Sequence, residues 1–260
     1  MKISFIGYGN MAKAMAQGLV NQKNYTLTAA APSLPEGVNQ LGICTFSDNK
    51  KAIKDADVII LAVKPAQMET VLKEIIPHLP NNVLLITIAA GLSLSWFANY
   101  LPAQQALIRS MPNTPAAVGL AATPLCANSL CTAEQKQAAE HIFSSFGICT
   151  WINKEEHLDS FTALSGSGPA YVFLFLEAMT QAGVAMGLDE KVAESFALQT
   201  IKGSCALAEK SPLKVKELRK KVTSPGGTTA AALQVLEGKL EALMLQSLQA
   251  AKQRAKELGS

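Results

Sequence analysis

Ile3-Ser4-Phe5-Ile6-Gly7-Tyr8-Gly9-Asn10-Met11-Ala12 is the stretch on which the fold turns. A short apolar run ends in Gly-x-Gly-x-x-Ala, and a helical pattern over 10–21 follows at once. The order is strand, tight turn, helix, the context that a dinucleotide fingerprint requires. Gly7 permits the turn, Gly9 lets the backbone approach a pyrophosphate, and Ala12 is small enough for helix to lie close on strand. Asn10 and Met11 open the helix, whose unpaired N–H groups and positive dipole end face the phosphates.

Outward from this stretch, short apolar runs alternate with helical patterns. Residues 25–31 read as a second strand and 49–54 as a short helix. Residues 57–63 (Asp-Val-Ile-Ile-Leu-Ala-Val) are apolar without alternation, the mark of a parallel strand buried on both faces. A helix over 67–76, closed by Pro77 and Pro80, leads to a buried strand over 83–89, and 107–111 reads as a further strand. This βαβ alternation predicts an α/β fold with a doubly wound parallel sheet.

From about Glu156 strand signals fade. Residues 169–186 form a long pattern that is apolar nearly all round, broken mainly by Glu177 and Gln181. Such a helix must be buried, which suggests packing shared between subunits. Residues 190–208 are helical, and 239–258 place Leu240, Leu243, Met244, Leu248, Ala251 and Ala255 on one stripe. The expected organisation is an α/β domain over 1–157 and a helical domain over 158–260.

Composition narrows the function. With 49% hydrophobic residues and a net charge of +3 over 260 residues, the chain is neither disordered nor a nucleic-acid binder. Its apolar stretches are too short to span a membrane, and its first residues read as a strand rather than a targeting segment. Cys44, Cys126, Cys131, Cys149 and Cys205 lack CxxC spacing, and His78, His141 and His157 offer them no metal or catalytic arrangement. Scattered reduced thiols point to a cytoplasmic protein.

The fingerprint's usual acid, about 20 residues on at the end of the second strand, is absent. The chain there reads Ala29-Ala30-Ala31-Pro32-Ser33, with no carboxylate for the ribose of NAD and no Arg for the 2′-phosphate of NADP. Ser33 offers one hydrogen bond, and Lys50 and Lys51 offer charge from a neighbouring loop. The missing carboxylate removes repulsion against a phosphate, so NADP(H) is favoured and NAD(H) stands second.

Four further motifs stand in order: Ala62-Val63-Lys64-Pro65, Met111-Pro112-Asn113-Thr114-Pro115, Ser165-Gly166-Ser167-Gly168-Pro169-Ala170-Tyr171 and Thr223-Ser224-Pro225-Gly226-Gly227-Thr228-Thr229. Together they resemble pyrroline-5-carboxylate reductase over essentially the whole chain. The resemblance implies reduction of 1-pyrroline-5-carboxylate to L-proline with NAD(P)H, the last step of proline biosynthesis. It also implies an N-terminal Rossmann domain and a helical C-terminal domain that interleaves in a homodimer, often within a ring of dimers. Carried over residue by residue, Ala62, Val63, Lys64 and Pro65 line the nicotinamide half of the cofactor, flanked by Ala90 and Gly91. Asn49 matches a position near the adenosine ribose. Ser224, Gly226, Gly227, Thr228 and Thr229 form the substrate loop, and Thr229 matches the threonine proposed to hydrogen-bond the ring nitrogen. Two departures stand out. Ala31 occupies a place where relatives carry Ser or Arg, and Glu209-Lys210-Ser211-Pro212 departs from the usual spacing of acid and Pro, which leaves Glu209 outside the expected site.

The residues suit that chemistry. An iminium is already electrophilic, so its reduction needs positioning and a protonated nitrogen rather than a strong base, and the hydride comes from the cofactor. Pro-Gly-Gly before a helix over 229–236 frees backbone N–H groups for a carboxylate, with Ser224 and Thr228 hydroxyls beside them. An ordinary N-cap is the plainer reading of Ser/Thr before an apolar helix. The 165–169 glycines are expected to pack beside the substrate loop. Lys64 is expected to act through its backbone, and residues 111–115 to shape a cleft wall. Phe173 and Phe175 are expected in core or interface, and Trp96 and Trp151 in packing. Competing readings are another imine reductase or a 3-hydroxyacid dehydrogenase of the same build, which would want a Lys near 165–171, and a non-catalytic NADP-binding sensor, which would not need the loop.

Overall fold

The structure, a computed structural model, describes residues 1–258. One nine-stranded sheet organises the first part of the chain. Its strands are β1 (Lys2–Ile6), β2 (Thr26–Ala30), β3 (Gly37–Val38), β4 (Cys44–Phe46), β5 (Val58–Leu61), β6 (Leu84–Thr87), β7 (Leu107–Ser110), β8 (Ala121–Ala127) and β9 (Gly147–Trp151). They lie in the order β3-β4-β2-β1-β5-β6-β7-β8-β9. Every neighbouring pair is parallel except β3–β4 and β7–β8. The expected doubly wound sheet is present, and its topological switch falls at β1, where the chain turns from β2 and β4 on one side to β5 and β6 on the other.

Alternate residues of the central strands feed two cores. On one face Ile3, Phe5, Val58, Ile60, Leu84 and Ile86 pack with Ala12, Met15, Ala16 and Leu19 of α1 (Asn10–Leu19) and with Ile142 and Phe143 of α5 (Ala133–Ser144). On the other, Ile6, Ile59, Leu61 and Leu85 meet Met68, Leu72 and Ile75 of α3 (Pro65–Ile75), Ile53 of α2 (Asn49–Ile53) and Phe97 of α4 (Leu94–Ala98). Both faces of β5 and β6 are covered, which is why these strands are apolar without alternation.

The sequence reading leaves out β3, β4, α4, α5 and the short helices His157–Phe161 and Val215–Lys221, and also β8, β9 and a π-helical turn. β8 contains Pro124, which argues against a strand with neighbours on both sides. β9 is a short edge strand with no buried residue. Thr162–Gly166 forms a π-helical turn in which the Ser167 N–H donates to the Thr162 carbonyl at 2.8 Å, and no propensity pattern marks such a turn. It follows α6 (His157–Phe161) and leads into α7 (Gly168–Ala185).

The remaining helices are α8 (Glu190–Lys210), α9 (Val215–Lys221), α10 (Thr228–Leu236) and α11 (Lys239–Glu257). The chain forms two compact units: Met1–Pro169 together with the stretch from Ala250 on, and Ala170–Gln249. The chain passes from one compact unit to the other at Pro169–Ala170 and back at Gln249–Ala250. The π-turn is tied back to the sheet unit through buried Asn113, whose Nδ2 donates to the Ser165 carbonyl at 3.0 Å while its Oδ1 accepts from the Ala122 N–H at 3.0 Å.

The burial expected for the apolar helix is not met within one chain. Val172, Phe173 and Leu174 of α7 are 51%, 58% and 65% exposed, and Gly183 is the buried residue of that helix. Replacing Asn113 with Ala strands the Ser165 carbonyl and the Ala122 N–H together. The expected cost is about 2–3 kcal/mol, read as a lowered denaturant midpoint; an unchanged midpoint would contradict the anchoring role.

Candidate functional site

The ends of the central strands set up the first half of the site. The Gly7 N–H donates to the Ala30 carbonyl at 2.8 Å, and the Ala62 N–H donates to the Ile6 carbonyl at 2.7 Å. The Ile88 N–H donates to the Leu61 carbonyl at 3.2 Å. The exits of β2, β1, β5 and β6 therefore stand side by side. They carry in turn the turn over 31–34, the Gly7–Gly9 loop, Ala62-Val63-Lys64-Pro65, and the Ala89–Gly91 loop. Gly7 has φ +87°, and a Cβ there would lie 2.8 Å from the Ala62 carbonyl carbon and oxygen and from Val63. Only glycine fits between the two loops.

The start of α1 is open. Its N-cap is Gly9, exposed, extended at φ −78° and ψ −170°, and without a side-chain cap. A Cβ at Gly9 would meet nothing within 4 Å, so the space outside the turn is free. Asn10 is exposed and Met11 half-buried beside it. α3 is likewise uncapped, with Lys64 in extended backbone at its N-cap and Pro65 in its first turn. By contrast, Asp48, Ser93, Thr132 and Asp189 cap α2, α4, α5 and α8 with their side chains. Free amides at α1, the glycine gap at residue 7 and the open space before Gly9 fit a bound pyrophosphate.

The two residues expected near the adenosine ribose lie in different settings. Ser33 is exposed in the turn closed by the Leu34 N–H donating to the Ala31 carbonyl at 2.9 Å. Asn49, at the start of α2, donates from Nδ2 to Glu74 Oε2 at 2.9 Å, so its amide is already oriented by α3.

The Ala89–Gly91 loop is braced in a way the sequence reading missed. The Ala89 N–H donates to Thr87 Oγ1 at 3.2 Å, and Gly91 takes φ +84°. Just beyond, the Leu94 N–H donates to Glu155 Oε1 at 2.6 Å. The same carboxylate pairs with Arg109, only 6% exposed on β7. A buried Arg with a carboxylate partner is a strong brace, because removing either group leaves a charge unmet. A cavity of about 380 Å³ lies against it, lined by Gly91, Ser93, Arg109, Glu155, Asp159 and Lys256 among others. The motifs at 111–115 and 165–169 also meet: a Cβ on Gly166 would lie 3.4 Å from Met111 Cγ. Burial pushes the thiols of Cys126 and Cys131 up, which keeps them protonated and unreactive.

The candidate substrate loop belongs to the second unit. The Gly227 N–H donates to the Ser224 carbonyl at 3.0 Å, and Gly226 takes φ +71°, so Pro225 and Gly226 occupy the centre of a tight turn that favours these residue types. Gly227 is the N-cap of α10, extended at φ −82° and ψ 173°, again without a side-chain cap. It repeats the backbone of Gly9. Ser224 and Thr228 are exposed and Thr229 half-buried, and their hydroxyls have no partner among the described residues. The ordinary N-cap reading is thereby excluded for these hydroxyls: none of them closes the helix.

Comparison with known proteins places the chain in a family. Residues 155–258 match the family model for pyrroline-5-carboxylate reductase dimerisation, and residues 2–91 match that for coenzyme F420-dependent NADP oxidoreductase. The chain is similar to the pyrroline-5-carboxylate reductase of Pseudomonas aeruginosa, 38% identical over 99% of this chain and 96% of that protein. Among solved structures it is similar to the Plasmodium falciparum pyrroline carboxylate reductase with NADP bound, at TM-score 0.91 and 35% identity over 100% of this chain and 98% of that one. It is also similar to the Coxiella burnetii pyrroline-5-carboxylate reductase, at TM-score 0.90 and 38% identity over 99% and 98%.

Placing Ala at residue 7 forces a Cβ into the Ala62 carbonyl at a positive φ. Dinucleotide binding, followed by calorimetry, is expected to weaken about tenfold or more; unchanged affinity in a folded Gly7→Ala protein would contradict the close approach.

Proposed function

This chain belongs to the pyrroline-5-carboxylate reductase family, and from that premise we propose that it reduces 1-pyrroline-5-carboxylate to L-proline, with NADPH favoured over NADH. The observation that carries the reading is the repeated glycine N-cap, Gly9 on α1 and Gly227 on α10, each opening a helix with free amides. One suits the pyrophosphate of a dinucleotide, the other the single carboxylate of a small cyclic imine.

In this reading the amides of Asn10, Met11 and Ala12 hold the pyrophosphate. Ser33 and Asn49 serve the adenosine ribose. The backbone of Ala62 to Pro65 and of Ala90 forms the wall for the nicotinamide, which supplies the hydride when bound. Ser224, Gly226, Gly227 and Thr228 hold the substrate carboxylate through backbone N–H and hydroxyl donors. Thr229 supports the ring nitrogen, which carries a proton in the reactive iminium and ends as the amine of proline. The hydride adds to the ring carbon of the C=N bond, its π electrons settle on nitrogen, and no titratable side chain has to change state at that carbon.

The helical part carries a dimerisation domain. We place the apolar flank of α7 in a homodimer interface, with a ring of dimers as the larger assembly. None of the described helices is long and apolar enough to cross a membrane. The five free cysteines suit a cytoplasmic setting.

The test is consumption of NADPH and of NADH with and without 1-pyrroline-5-carboxylate, with L-proline identified as product; cofactor binding without substrate-dependent turnover would overturn the proposal. Thr229→Val removes one hydrogen bond at the reacting nitrogen. It is expected to lower kcat about three- to tenfold while dinucleotide affinity stays unchanged; equal kcat would remove Thr229 from the mechanism.

A further inference from the structure

The exit of β2 lacks both usual readers of the ribose, and the structure shows what stands there instead. The Ala31 N–H donates to the Phe46 carbonyl at 3.2 Å, so the exits of β2 and β4 lie together. Dinucleotide ribose hydroxyls are read at this end of such a sheet. The nearby polar groups are largely engaged. Asp48 caps α2 by accepting from the Lys50 N–H at 2.9 Å, and Asn49 is tied to Glu74. The Lys50 ammonium has no hydrogen-bond or ion-pair partner among the described residues. Lys51 on α2 reaches back to the β2 exit segment, its Nζ 2.7 Å from Glu36 Oε1. Glu36 is held in place by its neighbours: the Thr45 hydroxyl donates to the Pro35 carbonyl at 2.7 Å and to the Gly37 carbonyl at 3.3 Å. Both ends of the ion pair are half exposed, so a ligand can reach them.

We propose that Lys51 reads the 2′-phosphate of NADPH and that Glu36 is the stand-in counter-ion which that phosphate displaces, so that this pair sets cofactor preference. The inference rests on the dinucleotide reading given above. Its physics is a competition for one ammonium. A 2′-phosphate brings up to two negative charges where Glu36 brings one, and its oxygens pair with an ammonium as a carboxylate does. Glu36 then remains close by and repels the phosphate, which weakens NADPH binding without touching NADH, whose 2′-hydroxyl is neutral. Lys51 thus supplies the cation that Ala31 does not, and Glu36 tempers it.

Two nucleotides that differ only in the 2′-phosphate isolate the effect: 2′,5′-ADP and 5′-AMP, titrated by calorimetry into the wild type, Lys51→Gln, Lys51→Arg and Glu36→Gln. Lys51→Gln is expected to weaken 2′,5′-ADP about five- to tenfold and leave 5′-AMP unchanged, with Lys51→Arg restoring most of the loss. Glu36→Gln is expected to tighten 2′,5′-ADP about threefold, again with 5′-AMP unchanged. The 2′,5′-ADP differences shrink as salt rises. The ratio of kcat/KM for NADPH to that for NADH moves in the same directions. The inference is overturned if both nucleotides shift together, or if Lys51→Gln leaves 2′,5′-ADP binding unchanged in a protein that still turns over. A wild type that binds neither nucleotide and oxidises neither cofactor would overturn the underlying reading along with it.

Discussion

One missing atom governs the ligand side of the sheet. Gly7 has no Cβ, and the place a Cβ would take lies 2.8 Å from the Ala62 carbonyl. Because that space is empty, the turn after β1 sits directly on the exit of β5, and α1 starts at the switch between the two halves of the sheet. With strands about 4.8 Å apart, the exits from β2 to β6 then span roughly 14 Å. That row supplies one extended groove edge, and every expected cofactor residue from Ser33 to Ala90 falls on it or on the adjoining start of α2.

In the proposed function the chain meets charged ligands mainly with backbone. Gly9 and Gly227 are N-caps of nearly identical conformation, and neither helix start is closed by a side chain. A side-chain cap of the kind Asp48 or Thr132 supplies would occupy the amides that an anion needs. An uncapped start costs some helix stability, and for α1 the packing of its apolar face in the core offsets that cost. The Arg109–Glu155 pair is structural: it braces the segment after Gly91, fixing backbone rather than entering the chemistry.

Much of this was legible in the sequence because the constraints were local. Gly-x-Gly-x-x-Ala after an apolar run names its own turn, and 57–63 and 83–89 show parallel strands by their lack of alternation. The Pro-Gly-Gly turn at 225–227 could be read the same way, since Gly226 at φ +71° is a backbone demand. What escaped depended on partners distant in sequence. β8 forms despite Pro124 because β7 and β9 flank it. The π-turn at 162–166 is anchored by Asn113, which gives no signal of its own. The pairing of Asn49 with Glu74, and of Lys51 with Glu36, follows from how α2 meets its neighbours. The apolar circumference of α7 was visible, yet much of that surface is exposed in the single chain.

The central claim is that two glycine-capped helix starts hold two different anions. Hydrogen exchange followed by mass spectrometry tests it most directly, with NADPH and L-proline added separately and together. The account predicts slowed exchange at the start of α1, over residues 9–13, with the dinucleotide, and at the start of α10, over 227–231, when proline joins it. Protection by the dinucleotide that bypasses residues 9–13, or proline protection confined to other segments, would contradict it.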